Sequence, residues 1–509
     1  MLAFTSGVVG TLTPYVTSSF QLHSLTATTG IISQLISGLF KLPYCKIIDI
    51  WGRPQGLLVM LACFTLGLIM MAGCNNVQTY CAAQVFFWVG YLGISFSLTI
   101  FVADTTALRS RALMIGFIAS PWLVTTWCSG PAAARILATV GFRWGFGVFA
   151  IAMPVACVPL LALMWTWQAE VRRRGLVPAK QSHGTLAQTL VHYAKEFDLV
   201  GLLILTTGLS LFLLSFSIYS YQPGGFGSPL IICFIVFGIL LVAAFVLYEK
   251  FVAPTKFIPF ELLQDRTVFF TFVMAACLYT GWYIWDSYFY SLNIVLFNQS
   301  ITNASYIANI YTLGSCFTAL VVGAMLLWYG KIKYYALFFG APMTMLGVAC
   351  MIAFRQPNVN IGYIVMCQLF IAFGGGTLVI AEQITVMAVS SQQNVPAVLA
   401  IEGMVISIAS SVGSAIAAAM WTGIFPDKLR QNLPARAQGQ FAAIYGSLVV
   451  QSSYAVGTPE RDAINLSYAQ TQRVMLITAT CFYAVMIVAT AFWRNIDVKN
   501  MKQRKLGLF

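Results

Sequence analysis

The stretch KIIDIWGRPQG, residues 46–56, lies between two long apolar runs and decides how the chain folds. Gly52 permits a tight turn, and Asp49 and Arg53 flank that turn in the pattern D-x-x-G-R. An acid and a base at this spacing can pair across the ends of two helices, and the pair can break when those helices separate. The stretch therefore predicts a charged, tight turn between two membrane helices, although an isolated D-x-x-G-R also occurs in ordinary surface turns.

The composition of the 509 residues is that of a membrane protein. Apolar residues make up 59% and charged residues 8%, and the mean hydropathy is +0.82. A soluble domain carries about 25% charged residues. The 12 cysteines show no paired spacing, and no His/Cys cluster has the spacing of a metal site. We therefore expect free buried thiols, no bound metal and no cofactor.

Fourteen runs approach the roughly 20 apolar residues that a helix needs to cross the hydrocarbon core. Their continuity excludes a membrane barrel, whose strands alternate over about 10 residues. An all-α membrane protein is predicted, with spans at 2–20, 26–45, 55–74, 79–103, 112–134, 144–168, 198–218, 228–248, 268–290, 304–328, 334–354, 361–387, 396–423 and 474–493.

The distribution of Lys and Arg predicts the orientation of these spans. Most of the 28 basic residues fall in segments on one side, which is then cytoplasmic, and an even number of spans places both termini there. The net charge of +13 is thus topological, and no nucleic-acid motif accompanies it. Three glycosylation sequons, Asn298, Asn303 and Asn465, all fall in predicted outer segments.

The spans group into two six-helix halves joined through two extra central helices. We predict an N-terminal bundle at 1–168, a basic cytoplasmic linker at 169–197, extra spans at 198–249, a C-terminal bundle at 250–493 with an outer loop at 424–473, and a cytoplasmic tail at 494–509. The first span begins at Met1 with no cytoplasmic lead, so we expect it to be truncated.

Several stretches resemble known carriers. D-x-x-G-R between spans two and three, with Gly130-Pro131 in span five, resembles the major facilitator superfamily. The segments GTLTPYVTSSFQLHSLTATTGIIS (10–33), KLPYCKIIDIWGRPQG (41–56), ADTTALRSRAL (103–113) and GTPERDAINLSYAQTQRVMLITATCF (457–482) are similar to the fungal siderophore–iron transporters. The resemblance covers nearly the whole chain. It implies a proton-driven importer of ferric siderophores at the cell surface, with endosomal vesicles as a second location.

The resemblance gives the turn after span two a role as a cytoplasmic gate. The superfamily uses an acid and a base at this turn, here Asp49 and Arg53 around Gly52, to hold the outward-open state. Asp104, Arg109 and Arg111 cluster at the inner end of span four and favour the same gate network over a ligand site.

Span nine contains YTGWYIWDSYFYSLN, residues 279–293, with one carboxylate among many rings. Helical spacing places Tyr279, Trp282, Tyr283, Asp286 and Tyr290 on one face. A carboxylate facing lipid is costly, so this face suits a cavity that binds a bulky, partly polar chelate. An aromatic belt at the outer interface, with Asp286 in headgroup water, is the alternative.

Glu382 and Glu402 lie in the inner parts of spans twelve and thirteen. A buried carboxylate can carry a proton at neutral pH, so these two residues and Asp286 are candidates for proton coupling. Structural hydrogen bonding is the alternative. In the outer loop, Arg461 and Asp462 are candidates to receive or cover the ligand.

The sequence thus predicts a monomeric, proton-coupled importer whose partners are a ferric siderophore, protons and the lipid bilayer. Two rivals remain at this point. A drug–proton antiporter also uses fourteen spans, and a non-transporting receptor or inactive truncated carrier would fit a shortened first span. No nucleophile–base pair or nucleotide-binding loop suggests an enzyme.

Overall fold

Helices account for every predicted span, because only internally hydrogen-bonded segments satisfy the backbone in lipid. The computed structural model describes residues 1–20, 26–106, 108–174, 198–219, 222–253, 264–390 and 395–498. Most of the linker 169–197 and of the tail 494–509 therefore lies outside the described residues, as do the side chains of Asp49, Asp104 and Arg109.

The helices are numbered in chain order. They are α1 (Leu2–Ser19), α2 (Thr26–Leu39), α3 (Lys41–Trp51), α4 (Arg53–Ala72), α5 (Val77–Thr105), α6 (Leu108–Ala119), α7 (Trp122–Thr139), α8 (Gly141–Arg173), α9 (Leu199–Ile218), α10 (Pro229–Phe251), α11 (Arg266–Asp286), α12 (Phe289–Val295), α13 (Ile301–Ala308), α14 (Ile310–Tyr329), α15 (Ile332–Tyr335), α16 (Ala341–Phe354), α17 (Ile361–Val389), α18 (Val395–Asn432), α19 (Phe441–Gly446), α20 (Leu448–Ser453) and α21 (Pro459–Ala491). Within the described ranges, 12 helical segments are long and apolar enough to cross a membrane, the first of them Arg53–Ala72.

Side-chain caps fix where several of these helices begin. The Asn76 side chain accepts a hydrogen bond from the Thr79 amide at 2.7 Å, and Asp265 accepts one from the Thr267 amide at 2.7 Å. Such caps satisfy amides that have no partner within the helix. The two ends of the bundle are distinguished below as the basic end, which carries the α3–α4 turn at Gly52, and the far end, which carries α12, α19 and α20.

The halves of the bundle meet where small residues allow close helix packing. The Ser411 hydroxyl of α18 donates to the Ile31 carbonyl of α2 at 3.1 Å. On α14, a Cβ at Gly323 would lie 3.0 Å from the Leu113 backbone of α6, so glycine lets the two helices cross this closely without a shift. Both contacts join the first half of the chain to the second.

The pair α9 and α10 lies at the edge of this seam. α9 packs on both α2 and α18, with Leu205 and Leu213 buried against them. α10 packs on α9, and only 17% of the residues in its 18-residue apolar stretch are buried inside the protein. The two helices therefore cover the seam from its outer side and contribute no residue to the cavity described below.

The prediction of one continuous outer loop at 424–473 is wrong. α18 runs on to Asn432, the segment that follows holds α19 and α20, and α21 begins at Pro459. Hydropathy missed α19 and α20 because each has only six residues, and it missed the start of α21 because polar residues there are buried against protein. Glu460 is 8% exposed and Arg461 only 1%, so they face neither lipid nor water.

Spans nine and ten are interrupted rather than continuous. α11 ends at Asp286 and α12 begins at Phe289, while α13 and α14 meet at Asn309. Discontinuous membrane helices place free backbone groups at the middle of a carrier, where substrates bind. The break in span nine falls at the carboxylate that the sequence singled out.

Candidate functional site

A cavity of about 330 Å³ lies between the two halves of the bundle, at the break in span nine. This is within the usual size of small-molecule sites, roughly 300–1,000 Å³. Its lining residues are mostly small, amide or aromatic: Ser6, Gly7, Val9, Gly10, Thr11, Thr13, Pro14, Gly30, Gln34, Gln84, Trp88, Trp122, Trp282, Tyr283, Asp286, Ser287, Tyr290, Ala308, Asn309, Thr312 and Ser414. Among these described residues, Asp286 alone is an acid or a base.

Three of the predicted aromatic residues share this cavity with Asp286. Trp282, Tyr283 and Tyr290 all line it, so their rings lie within the protein instead of forming a lipid-facing belt. The Trp282 and Tyr283 rings are tilted relative to each other with centroids 5.1 Å apart, and Tyr290 meets Tyr15 of α1 edge to face at 6.4 Å. Rings with polar tips offer flat apolar area and a hydrogen-bonding group to a ligand.

The opposite wall, from the first half of the chain, is held by its own hydrogen bonds. Gln84 donates to the Tyr80 hydroxyl at 2.7 Å and accepts from the Trp88 indole at 2.7 Å. The Tyr80 hydroxyl lies 2.9 Å from that of Thr13. This wall is therefore preorganised, and the sequence analysis did not predict it because none of its residues is charged.

Tyr279 departs from the predicted face. It does not line the cavity, and its hydroxyl reaches 3.5 Å to Oε1 of Glu382 on α17. Its ring meets that of Trp282 at 6.2 Å, edge to face. Tyr279 thus connects the aromatic wall of the cavity to a buried carboxylate, a link that sequence spacing alone does not indicate.

The two predicted coupling acids are buried and near each other. Glu382 is fully buried and Glu402 is 2% exposed. Their charges interact, and one oxygen of each, Oε2 of Glu382 and Oε1 of Glu402, has no hydrogen-bond partner. Burying an unpaired carboxylate costs free energy that the neutral acid avoids, so the site favours binding a proton.

A third charged group completes this cluster. Lys41, the first residue of α3, interacts electrostatically with Glu402. Its ammonium packs directly on Gly403, where no Cβ would fit. A lysine within a predicted apolar span was the signal that would have revealed it.

Arg355 stabilises the break in span nine by a hydrogen bond to the backbone. It is fully buried, and Nη1 donates to the Trp285 carbonyl at 3.0 Å and to Oε1 of Gln472 at 2.6 Å. Its guanidinium lies 4.3 Å from the Phe289 ring centroid and attracts the Asp286 carboxylate. The carbonyl left free at the break is thus satisfied by a cation next to the cavity.

Comparison with known proteins now bears on the site. The Major Facilitator Superfamily sequence model matches residues 1–414. MFS siderochrome iron transporter 1 of Ajellomyces capsulatus is 53% identical over 500 residues, covering 98% of this chain and 85% of that protein. Siderochrome iron transporter 2 of Aspergillus fumigatus is 40% identical, covering 99% and 83%. The chain belongs to the fungal siderophore–iron transporters of the major facilitator superfamily.

The fold of this siderophore–iron transporter agrees with that membership. A peptide transporter of the POT family, solved in an autoinhibited state, matches with a TM-score of 0.56 at 14% identity, covering 98% of this chain and 96% of that one. At that identity the match supports the fold alone. Membership places the chain among membrane carriers and not among enzymes.

At the basic end, the transporter has the tight turn that the sequence predicts. Gly52 separates α3 from α4 with φ +103°, and a Cβ there would also meet the Gln55 side chain. The predicted pairing of Asp49 with Arg53 involves the Asp49 side chain, which lies outside the described residues. The side chains of Asp104 and Arg109 also lie outside them, so the roles of these residues in the gate stay predictions.

Arg111 is the one predicted gate cation other than Arg53 with a described side chain. It is 1% exposed, and Nη2 donates to the Ala103 carbonyl at 2.7 Å and the Thr106 carbonyl at 3.2 Å. Nη1 lies 3.9 Å from Sδ of Met387 on α17. Arg111 therefore closes the α5–α6 turn and contacts the other half of the bundle.

Arg461 does not face a ligand. Its guanidinium donates to backbone carbonyls, including Val295 at 2.7 Å and Gln451 at 3.0 Å, and so joins α12, α20 and α21. Asp462 beside it is exposed at the start of α21. The expectation that Arg461 receives the chelate is wrong, because its donors are used within the protein.

The asparagines of the three predicted glycosylation sequons differ in their exposure. Asn298 and Asn303 are exposed near the α12–α13 turn. Asn465 lies inside α21 and is 8% exposed, so its side chain has no room for a glycan. The prediction of glycosylation at Asn465 is therefore wrong, because hydropathy placed a loop where the chain forms a buried helix.

Proposed function

We propose that this carrier imports ferric siderophores together with protons, by alternating access across the plasma membrane. The proposal rests first on the family, whose relatives are named siderochrome or siderophore iron transporters over nearly the whole length of this chain. It rests next on a cavity between the two halves and on buried acids that are linked to it through Tyr279 and Trp282.

The cavity suits an iron chelate better than a free ion. No group of three or more His, Cys, Asp or Glu side chains that could hold a metal occurs in the described ranges. An iron atom already wrapped in its siderophore needs no ligands from the protein. Trp282, Tyr283 and Tyr290 would contact the apolar links of the chelate, and Asp286 would accept a hydrogen bond from a donor group on it or hold a proton.

The link from cavity to buried acids is the observation that carries the coupling. Trp282 lines the cavity, its ring touches Tyr279, and Tyr279 donates to Glu382, which interacts with Glu402. A change in how Trp282 packs on a bound chelate would therefore reach the carboxylates through contacting side chains. Glu382 and Glu402 are the proposed proton carriers, with Asp286 as the third candidate.

The rest of the proposal concerns orientation. The basic end faces the cytoplasm, with both termini on that side, and the turn at Asp49, Gly52 and Arg53 forms the cytoplasmic gate with Asp104, Arg109 and Arg111. The far end faces the outside, where Asn298 and Asn303 accept glycans. The carrier works as a monomer, at the plasma membrane and in endosomal vesicles.

Uptake of iron-loaded siderophores in cells that lack their own carriers tests this function. Radio-iron chelates of different charge are presented at acidic and neutral external pH, with and without an uncoupler, and surface delivery of the protein is checked by microscopy. We expect saturable uptake of at least one chelate, faster at acidic pH and abolished by the uncoupler.

Two other results would overturn the proposal. Saturable uptake that is indifferent to the uncoupler would remove proton coupling and leave a facilitator. No uptake of any chelate by protein at the cell surface, joined to faster loss of preloaded chelate or drug, would favour an exporter. A parallel measurement of efflux from preloaded cells distinguishes that exporter from a carrier that moves nothing.

A further inference from the structure

The buried acids of α17 and α18 share their site with one cation from the other half of the bundle. Glu382 and Glu402 are within a few per cent of complete burial, and Lys41 of α3 interacts with Glu402 while its ammonium packs on Gly403. Among the side chains that the structure describes, Tyr279 of α11 and Tyr311 of α14 also face this cluster. Arg111 of α6 reaches Met387, further along α17.

The number of charges sets how many protons this cluster holds. Two carboxylates and one ammonium carry a net charge of minus one when both acids are ionised. A buried cluster with uncompensated charge is costly, and binding one proton makes this cluster neutral. One oxygen of each acid, Oε2 of Glu382 and Oε1 of Glu402, has no hydrogen-bond partner, so either acid can take that proton.

We propose that Lys41 is a positioning residue that makes Glu382 and Glu402 a one-proton site and connects that site to the opposite half of the carrier. With the proton bound, the cluster is neutral and attraction between Lys41 and the acids is reduced, so the halves can separate at this end. Release of the proton restores the attraction and draws α3 back to α18. This inference rests on the proposed proton coupling and names the residue that fixes its stoichiometry.

Gly403 is what allows Lys41 to act from the neighbouring helix. The ammonium and two methylenes of Lys41 occupy the space that a side chain at position 403 would fill. The cation is therefore packed against α18 next to Glu402.

Infrared spectroscopy of the purified, full-length protein counts the protonated acids without any need for transport. The C=O stretch of a protonated carboxyl in dry surroundings is separated from that of an ionised one. Difference spectra at neutral pH compare wild type with Glu402→Gln, Lys41→Met, the double variant of both, and Lys250→Gln as a control at an exposed lysine.

Charge neutrality predicts a distinct result for each variant. Glu402→Gln leaves one acid and one base, so the C=O band of the protonated carboxyl in the cluster disappears. Lys41→Met leaves two acids and no base, so the band doubles. The double variant leaves a single neutral acid and returns the band to the wild-type intensity, and Lys250→Gln leaves it unchanged.

Equal bands in wild type and Glu402→Gln would overturn the proposal, because Lys41 would then not set the proton count. If Lys41→Met alone yields no folded protein, Glu402→Gln and the double variant still decide the question. The spectra are independent of uptake, so a carrier that fails the uptake experiment but gives this series of bands refutes the proposed function and keeps the one-proton site.

Discussion

Asp286 carries the one charge among the described side chains that line the cavity. A single carboxylate among rings predicted a cavity-facing acid, and the structure places Asp286 on the cavity wall. The nearby Arg355 was not predicted, because 68 residues lie between it and Asp286 in the sequence and no helical periodicity spans them. Local sequence spacing predicts which residues share one face of a helix. It does not predict that Arg355, from another helix, donates a hydrogen bond to the backbone carbonyl at the break.

The charge of Asp286 should govern which chelates enter. In Asp286→Asn, a chelate with a positive group loses a charge-assisted hydrogen bond, worth about 1.5–3 kcal/mol, which corresponds to roughly tenfold or more in apparent affinity. A neutral chelate should lose less. Competition uptake with both chelates measures the difference, and Asp427→Asn, at an exposed acid, is the matched control. Equal losses for both chelates would argue against a charge contact.

Glu382→Gln should separate binding from energy coupling. The amide keeps the shape and can still accept from Tyr279, but it cannot exchange a proton. We expect gradient-driven accumulation to stop while chelate exchange between preloaded and external pools continues. Because the substitution removes the charge of a buried carboxylate that has one oxygen without a hydrogen-bond partner, the melting temperature of the protein should not fall. Counterflow in proteoliposomes and a thermal melt measure the two effects, and full accumulation by this variant would exclude Glu382 as the carrier.

Among the elements, the small helices of the far end show where sequence reasoning failed. Hydropathy recognises helices that lie in lipid, so it located most long spans to within about five residues, but it ended α18 nine residues early and began α21 fifteen residues late. It missed α19 and α20 because each is only six residues long, and it missed the first turns of α21 because polar residues there are satisfied by protein contacts. Arg461, with backbone carbonyls as acceptors, is the main such contact.

Loss of that contact should destabilise the far end without touching the cavity. Arg461→Gln removes several hydrogen bonds and leaves buried carbonyls without donors, which should cost about 3 kcal/mol. A thermal melt of the purified protein measures this, and proteolysis between α18 and α21 locates it. Asp462→Asn, one residue along but exposed, should change neither. A melt for Arg461→Gln equal to wild type would show that water replaces the lost donors.

The crossing of α6 on α14 offers a second test among the elements. Gly323→Val forces side-chain atoms into the backbone of Leu113, so the halves cannot approach as they do here. Uptake should fall at least tenfold although the protein still reaches the membrane. Gly147→Ala, whose Cβ would meet nothing closer than 3.6 Å, is the control. Normal uptake by the Gly323 variant would mean that the crossing is not needed in the transport cycle.

At the level of the whole molecule, the two halves contact each other on both sides of the cavity. Towards the far end, the Thr11 hydroxyl of α1 lies 3.2 Å from that of Ser305 on α13. Alternating access requires such contacts to break once in each cycle. The sequence predicted the halves from hydropathy, but which helices meet across the seam depends on three-dimensional packing that one sequence does not encode in any local pattern.

A disulfide between these two helices should stop the cycle. In Thr11→Cys with Ser305→Cys, an oxidant should abolish uptake and a reductant should restore it. Each single variant is needed as a control because the chain holds 12 other cysteines. A cross-link demonstrated by mass spectrometry that leaves uptake intact would show that α1 and α13 move as one body.

The hairpin of α9 and α10 has a consequence for how such carriers diversify. α10 contacts mainly α9 and surrounding lipid, and neither helix supplies a residue to the cavity or to the buried acids. A lineage can therefore gain, lose or exchange this hairpin without rebuilding the route of the cargo.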